Sequence, residues 1–242
     1  MNNKNRQGRF TSSQMYRLMG TPAVLNTYIE ELVIEKRMKR CLDVGAYSQA
    51  MSWGRYMEMQ VFKEMSTDYT IVSKQTILHP EDRFKDIWSG SPDFIKFKGN
   101  DAVAVSEVKC YYPKAFAKLT DAMLTKDLNA LKEVNTSSGK GREYWQVVSN
   151  AILCGVDTAE IITYMPYESE MEQIKNDVAN FDGADQWEFR FINERSNSEL
   201  PVLPNDGYYK NLNVLSFIVP DEDKKLLEER ILLAEEKIKE FL

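Results

Sequence analysis

An aspartate in Ser91-Pro92-Asp93, followed 14 residues later by Glu107-Val108-Lys109, brings together two carboxylates and a lysine at a spacing suited to phosphodiester chemistry. Two hard oxygen donors can hold Mg²⁺ beside a phosphate, and a nearby ammonium can position a water and offset charge on the scissile group. Ala102 to Lys109 reads as a strand. Glu107 and Lys109 then emerge on one face, while Val108 points the other way and offers its carbonyl nearby. A glutamate buried among the valines of such a strand is costly unless a cation compensates it, an arrangement that a functional site tolerates. Asp93, expected on the adjoining hairpin strand, reaches the same ion. The pattern assigns Asp93 and Glu107 as Mg²⁺ ligands, the Val108 carbonyl as a third, and Lys109 as the group that positions the attacking water; Mn²⁺ is an allowed substitute. A solvated edge strand with an ion pair shows the same spacing, so the motif alone does not decide.

The elements that must position these groups can be read coarsely. Thr11-Ser12-Ser13-Gln14 fits a capping box opening a short helix that stops at Gly20-Thr21-Pro22. Helices are expected from about Thr27 to Arg40, with Ile29, Leu32, Val33 and Lys36 on one face, and from Ser52 to Met65. Strands are expected at Thr70–Leu78, Ile87–Phe97 and Ala102–Lys109, then helices at Asp121–Val134 and Arg142–Gly155. Further strands are read at Ala159–Tyr164, Trp187–Ile192 and Val214–Val219, before a helix from Asp221 to Phe241. The fold class is α/β: a mixed central sheet flanked by helices. One domain over 1–242 is expected, with N-terminal helices at 10–66, a catalytic core at 67–165 and C-terminal strands and helix at 166–242.

Composition narrows the class of partner. The net charge of −6 looks wrong for a chain that handles a polyanion, but residues 1–142 carry 22 Lys+Arg against 16 Asp+Glu, whereas residues 143–242 carry 9 against 21. A basic groove on one side and an acidic outer surface elsewhere are therefore compatible, since a polyanion feels the local field. Cys41, Cys110 and Cys154 form no C-x-x-C pair, which argues against a disulfide framework, a zinc site or an iron–sulfur cluster. Met1 to Arg6 lack the apolar run of a secretory signal, and no apolar stretch is long enough to span a bilayer. A cytoplasmic protein without a membrane partner is expected.

Five short motifs occur together in register: Arg6-Gln7-Gly8-Arg9-Phe10-Thr11-Ser12-Ser13, Ser52-Trp53-Gly54-Arg55-Tyr56-Met57-Glu58, Ser91-Pro92-Asp93, Glu107-Val108-Lys109-Cys110 and Gln146-Val147. In order and approximate spacing they resemble the phage lambda exonuclease and YqaJ-type viral recombinase nucleases, members of the PD-(D/E)xK superfamily. The resemblance spans about residues 6 to 165, with a weak echo in the terminal helix. It implies a restriction-endonuclease-like core and an alkaline exonuclease that degrades one strand of linear double-stranded DNA from the 5′ end with Mg²⁺. It further implies a phage or prophage setting (host cytoplasm), recombination by strand annealing, a single-strand annealing protein as partner and a ring-shaped homotrimer. Asp93, Glu107 and Lys109 match the catalytic core of the family. Glu58 matches a helix carboxylate completing the metal and water network, Gln146 a glutamine near the attacking water, and Arg6 and Ser13 groups that hold a 5′-terminal phosphate. Phe94 stands where the family often has Gly, and Met59 where it often has Pro; neither removes a catalytic group.

Other features read more plainly. Glu58 taken alone fits a solvated helix glutamate, and Gln146, with Ser149 and Asn150, fits a polar surface stripe. Gly139-Lys140-Gly141-Arg142 lacks P-loop spacing and reads as a mobile basic loop. His79, before Pro80, reads as an exposed loop histidine without a catalytic task. Lys36 to Arg40 reads as a charged helix end. Leu227, Ile231, Ala234, Ile238 and Phe241 form an apolar stripe that packs on the sheet or on a neighbouring subunit. No insertion resembles a sequence-reading domain. The alternatives on the same core are a structure-specific or restriction-type endonuclease and a DNA-binding or assembly protein without catalysis; the intact Asp93, Glu107, Lys109 set counts against the latter.

Overall fold

A computed structural model describes residues 6–42, 48–72, 75–136, 139–183 and 186–242. In chain order its elements are β1 (Phe10–Thr11), a 3-10 turn (Ser12–Arg17), α1 (Pro22–Met38), α2 (Gln49–Met65), β2 (Thr70–Ile71), β3 (Ile77–Leu78) and α3 (Asp82–Lys85). They continue with β4 (Trp88–Gly90), β5 (Phe94–Lys98), β6 (Asp101–Lys109), α4 (Pro113–Thr125), α5 (Leu128–Glu133), α6 (Arg142–Cys154) and β7 (Thr158–Tyr164). The chain closes with α7 (Met171–Ala179), α8 (Gln186–Glu194), β8 (Leu212–Ile218) and α9 (Asp221–Glu240).

The main sheet runs β2-β5-β6-β7-β8, and only its β6–β7 pair is parallel, so the sheet is mixed as expected. A small sheet, β1-β4-β3, lies beside it, with β1 parallel to β4. Period-two alternation gives the main sheet two apolar faces. Val105, Ala159 and Ile161 join a core with α1, α6 and α9, while Phe94, Val108, Ile162 and Tyr164 join another with α2, α7 and α8. Fully burying a side chain such as Val108 contributes ~1.5–3 kcal/mol, which fixes the strand that carries Glu107 and Lys109. The helix α6 is buried along nearly its whole length between the two sheets and α9, polar residues included.

Several expectations are corrected by packing. The segment Thr70–Leu78 yields two short strands in different sheets, and Ile87–Phe97 likewise divides into β4 and β5 with Ser91-Pro92-Asp93 as the crossing link. Asp93 therefore precedes its hairpin strand instead of lying on it. The helix expected at Asp121–Val134 begins at Pro113, where proline suits the first turn, and breaks at Lys126, whose φ of 57° is left-handed. Trp187–Ile192 is helical, inside α8. Thr11 makes no side-chain cap, and the Ser12 hydroxyl turns instead to Ser149 at 2.8 Å, so no capping box forms. His79 is buried, stacked on Trp88 and tilted against Phe84, not exposed. Phe241 lies outside the buried stripe of α9. Lys36 to Arg40 does close a helix, where Arg37 donates to the carbonyl of Phe241. Among the described residues no helix is long and apolar enough to cross a membrane.

Candidate active site

One face of β6 looks at one face of α6, and the polar side chains of each element meet there. Strand alternation places Glu107 and Lys109 together, while helical spacing of three and four places Glu143, Gln146 and Asn150 in one row. Glu107 Oε1 accepts from Lys109 Nζ at 2.8 Å and from Gln146 Nε2, and its Oε2 accepts from Asn150 Nδ2 at 3.1 Å. Lys109 Nζ also donates to Gln146 Oε1 at 3.1 Å, closing a triangle. Just past the strand, Tyr111 donates to Glu143 Oε1 at 2.7 Å, which Thr136 also reaches at 2.8 Å. The row on α6 is not a surface stripe: Gln146 is 7% exposed and Asn150 fully buried.

Asp93 arrives from the link between the sheets. Its N–H donates to the Ser106 carbonyl at 3.2 Å, extending the β5–β6 ladder by one step, and its Oδ2 accepts from the Val108 N–H at 2.8 Å. The strand residue whose side chain faces away from Glu107 thus holds Asp93 by its backbone. Burial, then the charges of Glu107 and Glu58, push the Asp93 carboxyl well above its usual range, against the opposing pull of Lys109 and the Val108 N–H. Burial likewise raises Glu107, opposed by Lys109. Burial works against the Lys109 cation, but Glu107, Tyr111 and Asp93 outweigh it and hold the ammonium protonated beyond its ordinary range.

Two buried carboxylates that repel each other are relieved by a divalent cation, and their hard oxygens suit Mg²⁺ or Mn²⁺ better than a soft metal. Among the described residues no three His, Cys, Asp or Glu side chains converge as a ready cage. The donor set that fits is therefore two carboxylates completed by a backbone carbonyl, water and substrate oxygens, which is how Mg²⁺ is commonly held. Glu58, half-buried on α2, is close enough for its charge to act on both Asp93 and Cys110.

The sequence-expected residues thus fall into two groups. Asp93, Glu107, Lys109 and Gln146 converge, with Val108 behind them and Glu58 within electrostatic reach. Arg6 instead lines a cavity of about 400 Å³ with Arg9, Gln14, Arg17, Tyr28 and Glu35; Ser13 does not line it. Arg9 donates to the Lys85 carbonyl, and Arg17 forms a double hydrogen bond with Glu31. Sequence reasoning did not assign Asn150, Tyr111 or Glu143 to the site. Their signal was present as spacing: Asn150 follows Gln146 by one helical turn, and Tyr111 follows Lys109 by two residues.

Compared by sequence, the chain matches no protein-family model and no curated protein. Its backbone does match solved structures. The alkaline exonuclease LHK-Exo from Laribacter hongkongensis superposes with a TM-score of 0.59 at 13% identity, over 97% of this chain and 89% of that one. The complex of LHK-Exo with dAMP gives 0.60 at 14%, over 98% and 91%. A phage-related exonuclease from Haemophilus somnus 129PT gives 0.56 at 12%, over 96% and 94%. The chain has the fold of these exonucleases. At such low identity the shared exonuclease fold is a likeness of backbone, and the chemistry rests on the side chains gathered between β6 and α6.

Proposed function

We propose that this protein is a Mg²⁺-dependent deoxyribonuclease that degrades linear double-stranded DNA from an end. The observation that carries the reading is the buried Glu107, hydrogen-bonded to Lys109 and Gln146, with Asp93 held beside it through Val108. The fold shared with exonucleases supports the choice of an end-dependent reaction over internal cutting. When bound, Mg²⁺ would polarise the scissile phosphate and make a bound water more acidic. Asp93, Glu107 and the Val108 carbonyl would hold it, with Glu58 completing the network of waters.

The protein's own groups supply the remaining steps. Lys109 stays protonated, so it acts as a fixed positive charge that positions the water and stabilises charge developing on the phosphate oxygens. The Gln146 amide, tied to both Glu107 and Lys109, orients that water and limits the freedom of the lysine. Asp93 and Glu107 must both be ionised to hold a cation, and since burial raises the proton affinity of each, protons compete with the metal at the acid end of the working range. Arg6, beside Arg9 and Arg17, offers positive charge for a 5′-terminal phosphate, and Ser13 is assigned to the same role by the motif resemblance alone.

Degradation from 5′ to 3′, a homotrimeric ring and strand-annealing recombination with a single-strand annealing protein complete the reading, on the strength of the five motifs in register. The test compares 5′-phosphorylated linear duplex, labelled at either end, with covalently closed circular duplex. Mg²⁺-dependent loss of the linear substrate alone, releasing the 5′ label first, is the expected result. Cutting of the circle would assign an endonuclease, and cleavage of neither a binding role.

A further inference from the structure

Three side chains donate to Glu107, and Lys109 and Gln146 are two of them. Asn150 is the third. It is fully buried, its Nδ2 donates to Glu107 Oε2 at 3.1 Å, and its Oδ1 has no hydrogen-bond partner among the described residues. An unpartnered buried amide oxygen carries a desolvation penalty, so filling the core alone would be better served by leucine at this position. The surroundings accommodate this amide closely. A Cβ at Gly90 would lie 2.6 Å from Asn150 Oδ1, and closer still to Ser12 Oγ, so the absent side chain at Gly90 leaves the space the amide occupies. Ser149, the residue before Asn150, is tied to Trp88 at 2.9 Å and to the same Ser12 hydroxyl at 2.8 Å, which fixes the turn of α6 from which Asn150 projects.

From this geometry we infer that Asn150 is a positioning residue for the metal site: it holds the second oxygen of Glu107 and so fixes the plane of that carboxylate. Lys109 and Gln146 both grip Oε1, and without Asn150 the carboxylate could rotate about that anchor and lose the orientation that a small octahedral cation demands. The inference rests on the reading of Glu107 as a Mg²⁺ ligand. Groups that orient a ligand from behind in this way contribute tenfold to a hundredfold in metal affinity in known sites.

The test is calorimetric titration of Mn²⁺ into metal-free full-length protein without DNA, for the wild type, Asn150→Leu and Asn150→Ser, with thermal unfolding of each. The expected result is an Mn²⁺ dissociation constant raised by about tenfold in both variants while both still unfold cooperatively. Single-turnover cleavage should then need correspondingly more Mg²⁺ to reach half its maximum, with most of the maximal rate recovered at saturation. An unchanged dissociation constant in a folded variant would overturn the inference and leave Asn150 as packing. Failure of both variants to fold would assign it to core stability and overturn the inference equally. If the wild type itself bound no Mn²⁺, the metal-site reading would fall, and this inference with it.

Discussion

Lys109→Met tests whether the buried charges depend on one another. The side chain of Lys109 is 13% exposed and that of Glu107 is 6% exposed, so removing the ammonium leaves an anion in the interior whose remaining side-chain donors, among the described residues, are the amides of Gln146 and Asn150. Removing one partner of a buried pair typically costs ~3–5 kcal/mol, and the two remaining amide donors place the expectation at the lower end, ~3 kcal/mol. In a chain of this length that corresponds to a fall in melting temperature of roughly 6–12 °C. The loss depends on pH with a definite sign. Without Lys109 the folded-state pKa of Glu107 rises further above its unfolded value, so the cost is small where the carboxyl is protonated in both states. It grows as pH rises above the ordinary range of about 4.3. Urea unfolding at pH 5 and pH 8 measures this directly, and Lys109→Met/Glu107→Gln should recover most of the loss at pH 8. A cost independent of pH, or a double variant as unstable as the sum of the singles, would refute the reasoning.

Three further outcomes are expected. Because burial raises both Asp93 and Glu107, and the Glu107 charge raises Asp93 further, the acid limb of the cleavage profile should lie above the ordinary carboxylate range and move to lower pH as Mg²⁺ increases; a limb near pH 4 that ignores Mg²⁺ would contradict this. The folded state lowers the pKa of His79 by burial, and its Nδ1 accepts from the Glu81 N–H at 3.1 Å, so the unfolded chain takes up the proton first. Stability should therefore decline as pH falls below about 6.5, and His79→Phe should flatten that decline in urea titrations. Gly141 caps α6 at φ 64°, and a Cβ there would lie 2.6 Å from the Lys132 carbonyl, so Gly141→Ala should destabilise by at least ~1–2 kcal/mol in equilibrium unfolding.

Much of the site was legible because strand alternation is a local rule. The run Ala102 to Lys109 fixed the shared face of Glu107 and Lys109, and the observed β6 has that face. The helix carrying Gln146 was likewise legible, since Arg142 to Cys154 has strong apolar periodicity and Gly at both ends. Its burial was not. Ser149 and Asn150 looked like a polar stripe, yet residues distant in sequence, Ser12, Trp88 and Glu107, supply the partners that make burial affordable. The region Trp187–Ile192 misled for a related reason. Trp187, Phe189 and Phe191 alternate with Glu188 and Arg190 as a strand would, but α8 buries Phe189 and Ile192 against α2 and α7 and leaves Trp187 61% exposed. There tertiary packing overrode a pattern only six residues long. His79 was misread because a polar connection in one dimension becomes an aromatic pocket once Phe84 and Trp88 fold back over it.

The central claim is that Asp93, Glu107 and Lys109 form a metal-dependent nuclease centre. It is tested most directly by following linear duplex DNA with wild-type protein, Asp93→Asn and Lys109→Ala, each with Mg²⁺ and with EDTA, after thermal unfolding has shown that the variants are folded. Hydrolysis by the wild type with Mg²⁺ alone, lost in both variants, is the predicted result. Cleavage that persists in EDTA, or in folded Asp93→Asn protein, would contradict it.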